Sequence, residues 1–321
     1  MSTGKKRKNQ SNNKLKNPDY KLAEEQFFEL NKGFYKDYLE GFYRMKVVNL
    51  LSLITNTEQS IKNLLQNPIE IDKLKIEPNT EDIESVSLIK YAKAELAMSY
   101  FHCLETFIRL FIAHAKLSGC PWLELARLSL PKYKKELQNI KNGRFGHFNK
   151  QISGDETILY VFTGRTKPED EITEEFIDGY KNWLKFAASQ LLETYDYNSF
   201  KHGLAISPNQ NGFTLGRPDE EFKLEAHGEV IEHLTRMASK GRIIWAKQTN
   251  FIKYDEKATF ILFVEKLMTS ILDVGKETYL QGNKGIRVVM AHKFLPEDIQ
   301  IKDEKQPIQV SSFRRGLLYY K

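Results

Sequence analysis

The stretch from Thr80 to Leu117 constrains this chain more than any other. Its apolar residues recur at helical spacing and occupy most of the circumference. At about 100° per residue, Glu95, Ser99, His102, Thr106 and Arg109 fall in one narrow sector, with Glu105 at its edge. The remaining surface carries Leu96, Tyr100, Phe101, Leu104, Phe107, Ile108 and Phe111. A helix this apolar must be covered by neighbours on most sides. The pattern therefore predicts the central rod of a bundle. His102, Glu105 and Arg109 interrupt the apolar run, and charge at mid-bilayer depth is costly, so no membrane span is expected.

Several other segments read as helices that would pack around it. Residues 19–67 form an N-terminal helical segment, with Phe27, Phe28, Phe34, Tyr38, Phe42 and Met45 at spacings near three and four, ended by Asn67-Pro68. Short helices are expected from Trp122 and from Pro131, the second closed by Gly143. Residues 172–195 carry one apolar stripe through Phe176, Tyr180, Trp183, Leu184, Ala187 and Leu191. Residues 258–280 carry another through Phe260, Val264, Leu267 and Ile271. The β signals are weaker. Thr157–Phe162 and Ile286–Met290 read as strands, 242–253 as extended, and 204–206 with 213–215 as a hairpin around Pro208–Gly212. The fold class is mainly α. A helical bundle with small β insertions spans residues 79–281, and 282–321 form a C-terminal strand and tail.

Charge divides the chain unevenly. Lys and Arg total 48 against 42 Asp and Glu, and the excess of six sits in residues 1–18, which contain no acid. Those residues read as a disordered basic arm, either solubilising or in contact with phosphates. The body is balanced, which argues against nucleic-acid binding by bulk charge. Two cysteines, Cys103 and Cys120, exclude a disulfide-rich scaffold and a four-thiolate zinc site. The first thirty residues hold no apolar stretch of secretory type, so a cytoplasmic location is expected.

Most catalytic signatures are missing. There is no phosphate-binding glycine loop, no dinucleotide fingerprint, no nucleophile elbow and no H-E-x-x-H. His227, Glu229, Glu232 and His233 have ligand chemistry, but such mixtures are usually solvated surface, and no metal is assigned.

Two constellations remain. The first is the polar stripe of the central helix. It is either a solvated face with a Glu105–Arg109 pair at i,i+4, or the wall of a cleft in which Glu105 orients Arg109 and His102 stands nearby. The second closes the helix of residues 172–195. If helical geometry persists, Tyr195, Asn198, Lys201 and His202 share a face. An amide, an ammonium and an imidazole beside a phenol suit an anionic ligand, with the imidazole able to exchange a proton near neutral pH. Lys201 and His202 before Gly203 also fit an ordinary helix C-terminus.

The run Tyr197-Asn198-Ser-Phe-Lys-His202-Gly203 resembles the motif of the HEPN superfamily, often R-N-x-x-x-H-G at the end of a bundle helix. The arginine position is Tyr197. Active members of that family are metal-independent endoribonucleases, usually dimeric, in which a ribose 2′-OH attacks the adjacent phosphate. The resemblance implies an RNA-directed protein without cofactors, acting as a homodimer or with a partner protein, often in prokaryotic defence. His202 would transfer the proton, Asn198 would orient the phosphate, and Lys201 or Arg109 would replace the missing cation, with Glu105 positioning Arg109. Tyr195, Tyr197 and His102 would line the ligand site. The alternative is a catalytically inactive binding or scaffold protein. Two literal arginine–histidine pairs of that spacing, Arg109 with His114 and Arg287 with His292, carry less weight. His114 falls on the apolar side of its helix and reads as core. Arg287 and His292 lie in an expected strand, where their odd separation turns them to opposite faces.

Overall fold

The computed structural model describes residues 22–56, 59, 69–71, 74–76, 85–167, 174–193, 207–209, 213–215, 224–226, 228–239, 241–280, 286–299 and 312–316. Its helices are α1 (Phe27–Asp37), α2 (Phe42–Thr55), α3 (Ser85–Ala115), α4 (Pro121–Ala126), α5 (Leu130–Lys141), α6 (Gly154–Thr163), α7 (Glu174–Leu192), α8 (Tyr254–Leu280) and α9 (Pro296–Ile299). The molecule is mainly helical, with a small four-stranded antiparallel sheet.

The central rod is α3, packed along its length on α8 and flanked by α2, α4, α6 and α7. Leu96, Tyr100, Leu104, Phe107, Ile108 and Phe111 are fully buried. By length and apolarity Ser87–Ala115 would suffice to cross a membrane, and most of it is covered by the bundle. Aromatic rings bind the layers together. Phe162 stacks on Tyr180 at 4.1 Å between α6 and α7, and Phe111 of α3 lies parallel to Phe162 at 6.2 Å. Trp183 of α7 stacks on Phe263 of α8 at 4.5 Å, and Phe186 on Phe260 at 4.9 Å. Such pairs add to the area they bury. Cys103 sits at the α3–α8 seam with its Sγ 3.8 Å from the Ile261 carbonyl oxygen. Tyr35, Val47 and Leu50 belong to the same core, so α1 and α2 pack on the bundle directly.

Two close approaches depend on glycine. A Cβ on Gly179 of α7 would lie 2.4 Å from the backbone nitrogen of His292, and one on Gly275 of α8 would lie 2.4 Å from the Tyr35 ring.

Two sequence expectations are corrected. Thr157–Phe162 is helix, not strand. Ser153 Oγ accepts from the Glu156 backbone at 3.2 Å while the Glu156 carboxylate accepts from the Ser153 N–H at 2.6 Å. Gly164, with φ 74°, closes the other end. These caps and burial on several sides outweigh β-branched propensity. Ile286–Met290 forms no strand. Its backbone bonds to side chains instead: the Ser270 hydroxyl donates to the Arg287 carbonyl at 2.5 Å, Tyr180 to Val289 at 2.6 Å, and the Arg287 N–H donates to Asp273. The hairpin expected between 204–206 and 213–215 has only its second arm among the described residues. Strand β3 (Ser207–Asn209) pairs with β6 (Val230–Ser239), whereas β4 (Phe213–Leu215) pairs with β5 (Leu224–Ala226). Residues 204–206 lie outside the described residues. A separate ribbon joins β1 (Ile69–Ile71) to β2 (Leu74–Ile76).

The main sheet runs β3-β6-β7-β8, with β7 at Arg242–Phe251 and β8 at Ser312–Gly316. Ile231 anchors it to the bundle by packing on Ala97 and Met98 of α3. A Lys93–Glu229 ion pair lies beside that contact.

The expected core histidine is confirmed. His114 Nδ1 lies 2.8 Å from the Leu110 carbonyl, which fixes the proton there. Nε2 therefore accepts from the Tyr35 hydroxyl, also at 2.8 Å. Burial holds the His114 pKa down to about 4, against an ordinary value of 6.5. Between those values the unfolded chain binds the extra proton, so stability rises with pH across this window and is lost as pH falls. In urea titrations between pH 7 and 5, wild type should lose about 2 kcal/mol more than His114→Gln. Equal losses would contradict a neutral buried imidazole.

Candidate functional site

The polar stripe of α3 is largely covered. Lys46 of α2 pairs with Glu95 at 2.5 Å. The Tyr43 hydroxyl reaches Thr106 Oγ1 at 2.7 Å and the His102 carbonyl at 3.1 Å. Burial raises the Tyr43 phenol pKa, so it stays a neutral donor. Ser99 is buried and donates to the carbonyl of Glu95 in its own helix. The solvated-face reading thus holds for His102, whose side is exposed, and fails where α2 docks.

Glu105 and Arg109 do meet. Arg109 donates from Nε and from NH2 to Glu105 Oε1, each at 2.8 Å. The guanidinium also lies 4.3 Å from the Tyr133 ring of α5, a cation–π contact. Pairing and stacking hold this side chain rigidly on the α3–α5 seam. The other half of the predicted site is Tyr195, Tyr197, Asn198, Lys201 and His202, which lie outside the described residues. The last described turn of α7 is at the level of Tyr100, whose hydroxyl donates to Gln190 at 3.2 Å. Arg109 sits nine residues further along α3, about 13 Å away at 1.5 Å per residue.

Of the group considered for a metal, His227 lies outside the described residues. Glu229 engages Lys93, and Glu232 pairs with Lys247 at 2.7 Å and accepts from Thr249 at 3.0 Å. His233 follows Glu232 in the strand and so turns to the opposite face. Among the described residues no three potential ligands gather. In the other literal pair, Asp273 grips Arg287 in a two-pronged contact at 2.5 and 2.8 Å, while His292 packs against Phe176.

Sequence reasoning missed the outer face of the sheet. Directly opposed residues share a face, so the register places Leu234, Arg236 and Ala238 of β6 beside Lys247, Trp245 and Ile243 of β7. Arg315 of β8 lies opposite Lys247 on the same side, and Phe313 opposite Thr249. Trp245 is 51% exposed and Ile243 77%, so no part of the bundle covers them. The Arg236 guanidinium sits 5.0 Å from the Trp245 ring. Among the described residues the one acid on this face, Glu232, is buried and paired. The result is an exposed platform of an indole, aliphatic groups and three cations, of which Lys247 is paired with Glu232. The period-two alternation Ile243, Trp245, Lys247 was the available signal.

Comparison with family models, curated proteins and solved structures finds no match to the chain.

A double-mutant cycle should apportion the α3 pair. Arg109→Ala and Glu105→Ala are expected to couple by about 0.5–1 kcal/mol in chemical denaturation, the scale of a partly buried ion pair. Coupling near zero would mean that the pair does not form in solution.

Proposed function

We propose that this protein binds single-stranded RNA, with the outer face of the β6–β7–β8 sheet as the platform. The carrying observation is Trp245 exposed between Arg236 and Lys247, with Arg315 alongside. An exposed ring offers a stacking surface for a base. Cations around it neutralise phosphates without requiring a basic body. The arm of residues 1–18 supplies the long-range attraction.

The resemblance of residues 197–203 to the HEPN motif extends this reading to cleavage. In that extension His202 transfers the proton and Lys201 with Asn198 holds the phosphate. Arg109 is engaged by Glu105 and Tyr133, which favours Lys201 over Arg109 as the substitute cation. The binding-only reading keeps the platform and drops the chemistry.

Fluorescence anisotropy with a labelled single-stranded RNA tests binding. Trp245→Ala should weaken it about tenfold or more, within the range for one stacked base. Arg315→Ala should lower the salt slope by about one. Deleting residues 1–18 should lower affinity and salt dependence further. Wild-type affinity in Trp245→Ala and in the truncated chain together would sink the proposal. Incubation with RNA in EDTA separates the extension: cleavage to 2′,3′-cyclic ends, abolished by His202→Ala, is the outcome for an enzyme.

A further inference from the structure

A cavity of about 510 Å³ opens between α1, the α1–α2 connection, α4 and α8, on a part of the molecule that the RNA reading does not use. Its walls are mostly rings. Phe34 and Trp122 lie nearly parallel with centroids 5.8 Å apart, Tyr38 meets Phe34 edge-on at 5.5 Å, and Phe42 stands at the mouth beside Tyr43. Met268 and Leu272 of α8 also line it. Trp122 and Phe42 are each close to half exposed, so this apolar surface faces an opening.

The charged groups of the lining have one sign. Asp37, Glu40 and Glu265 contribute carboxylates, and among the described residues no lysine, arginine or histidine belongs to the wall, although the Arg44 guanidinium reaches its edge beside Gly41. Glu40 is held by Lys276 and Arg287 at the rim. Glu265 accepts the backbone N–H groups of Tyr43 at 3.1 Å and Arg44 at 3.1 and 3.2 Å, which fixes it at the start of α2 with further acceptor capacity. Asp37 ends α1, where helix carbonyls add negative potential, and it forms no ion pair among the described residues. Burial pushes the Tyr38 pKa up to about 12, so its phenol adds no charge near neutrality.

Ring faces carry negative potential and attract cations, most strongly when the cation is poorly hydrated. A volume of this size admits a small organic molecule. A carboxylate or phosphate ligand would meet the carboxylates of Asp37 and Glu265, while the rim cations Lys276 and Arg287 are already engaged by Glu40. We propose that this cavity binds a lipophilic organic ammonium ion, with the Phe34, Tyr38 and Trp122 rings around its apolar body and Asp37 nearest its charge.

Benzyltrimethylammonium is a suitable probe, titrated calorimetrically into the full chain. Its neutral isostere neopentylbenzene and the anion phenylacetate serve as comparisons. Saturable binding of the ammonium is expected in the sub-millimolar range appropriate to an eleven-atom ligand. The isostere should bind at least fivefold more weakly, and phenylacetate should not bind. Asp37→Asn, at an exposed position, should lose about fivefold for the ammonium and nothing for the isostere. Phe34→Ala should weaken both, with thermal melting confirming that it folds. Equal affinity for cation and isostere, binding unaltered by Asp37→Asn, or no saturation by the ammonium would each overturn the assignment. RNA affinity of the Trp245 face should be the same in Asp37→Asn and wild type, which keeps this test apart from the previous one.

Discussion

The seam between α3 and α8 carries the rest of the architecture. Two helices of about thirty residues meet side by side through Leu96, Tyr100, Leu104 and Phe107 on one and Phe260, Ile261, Val264 and Ile271 on the other. Burying a large aliphatic or aromatic side chain contributes about 1.5–3 kcal/mol before entropy is subtracted. No other pair of elements in the bundle offers comparable apolar length. Helices α2, α6 and α7 then pack on a surface that this pair has already ordered. The small sheet joins through Ile231 near the middle of α3, so its geometry follows the seam while its outer face stays clear of the core.

That arrangement separates two kinds of surface. The bundle uses its polar groups inward: Glu95 on Lys46, Thr106 on Tyr43, Arg109 on Glu105 and Tyr133. Each charge on this stripe finds its partner within the protein, which leaves little there for a ligand. The sheet does the opposite. Its cations and its indole point outward; Glu232 and Lys247 neutralise each other, while Arg236 and Arg315 stay on the exposed face. The balanced net charge of the body therefore hides a local imbalance. Summation over a whole chain cannot reveal this, because recognition depends on which charges remain unpaired at one face.

Much of the helical framework was legible in the sequence. Leu96 to Phe111 and Phe176 to Leu191 show their period without ambiguity, and Pro131 and Gly143 mark an entry and an exit that the structure keeps. The Glu105–Arg109 contact was legible for the same reason: both residues belong to one helix turn. Its surroundings were not. Nothing local in Tyr43 or Lys46 announces that α2 will lie over the α3 stripe, since that is decided by packing between distant stretches of the chain. Thr157–Phe162 misled because β-branched residues fit a helix well when it is buried and capped. Strand β6 escaped notice because its buried positions hold Glu232, His233 and Thr235, so the hydrophobic alternation that marks a half-buried strand is broken by polar groups.

Cys103 lies in the α3–α8 seam, and burial raises its pKa well above the ordinary range. Cys120 is also sealed inside, next to α4. A thiolate at Cys103 can form only when the two longest helices part, so alkylation of that sulfur would proceed at the rate of breathing rather than of chemistry. The molecule thus contains a native reporter, placed where any loosening of its main seam must first become visible.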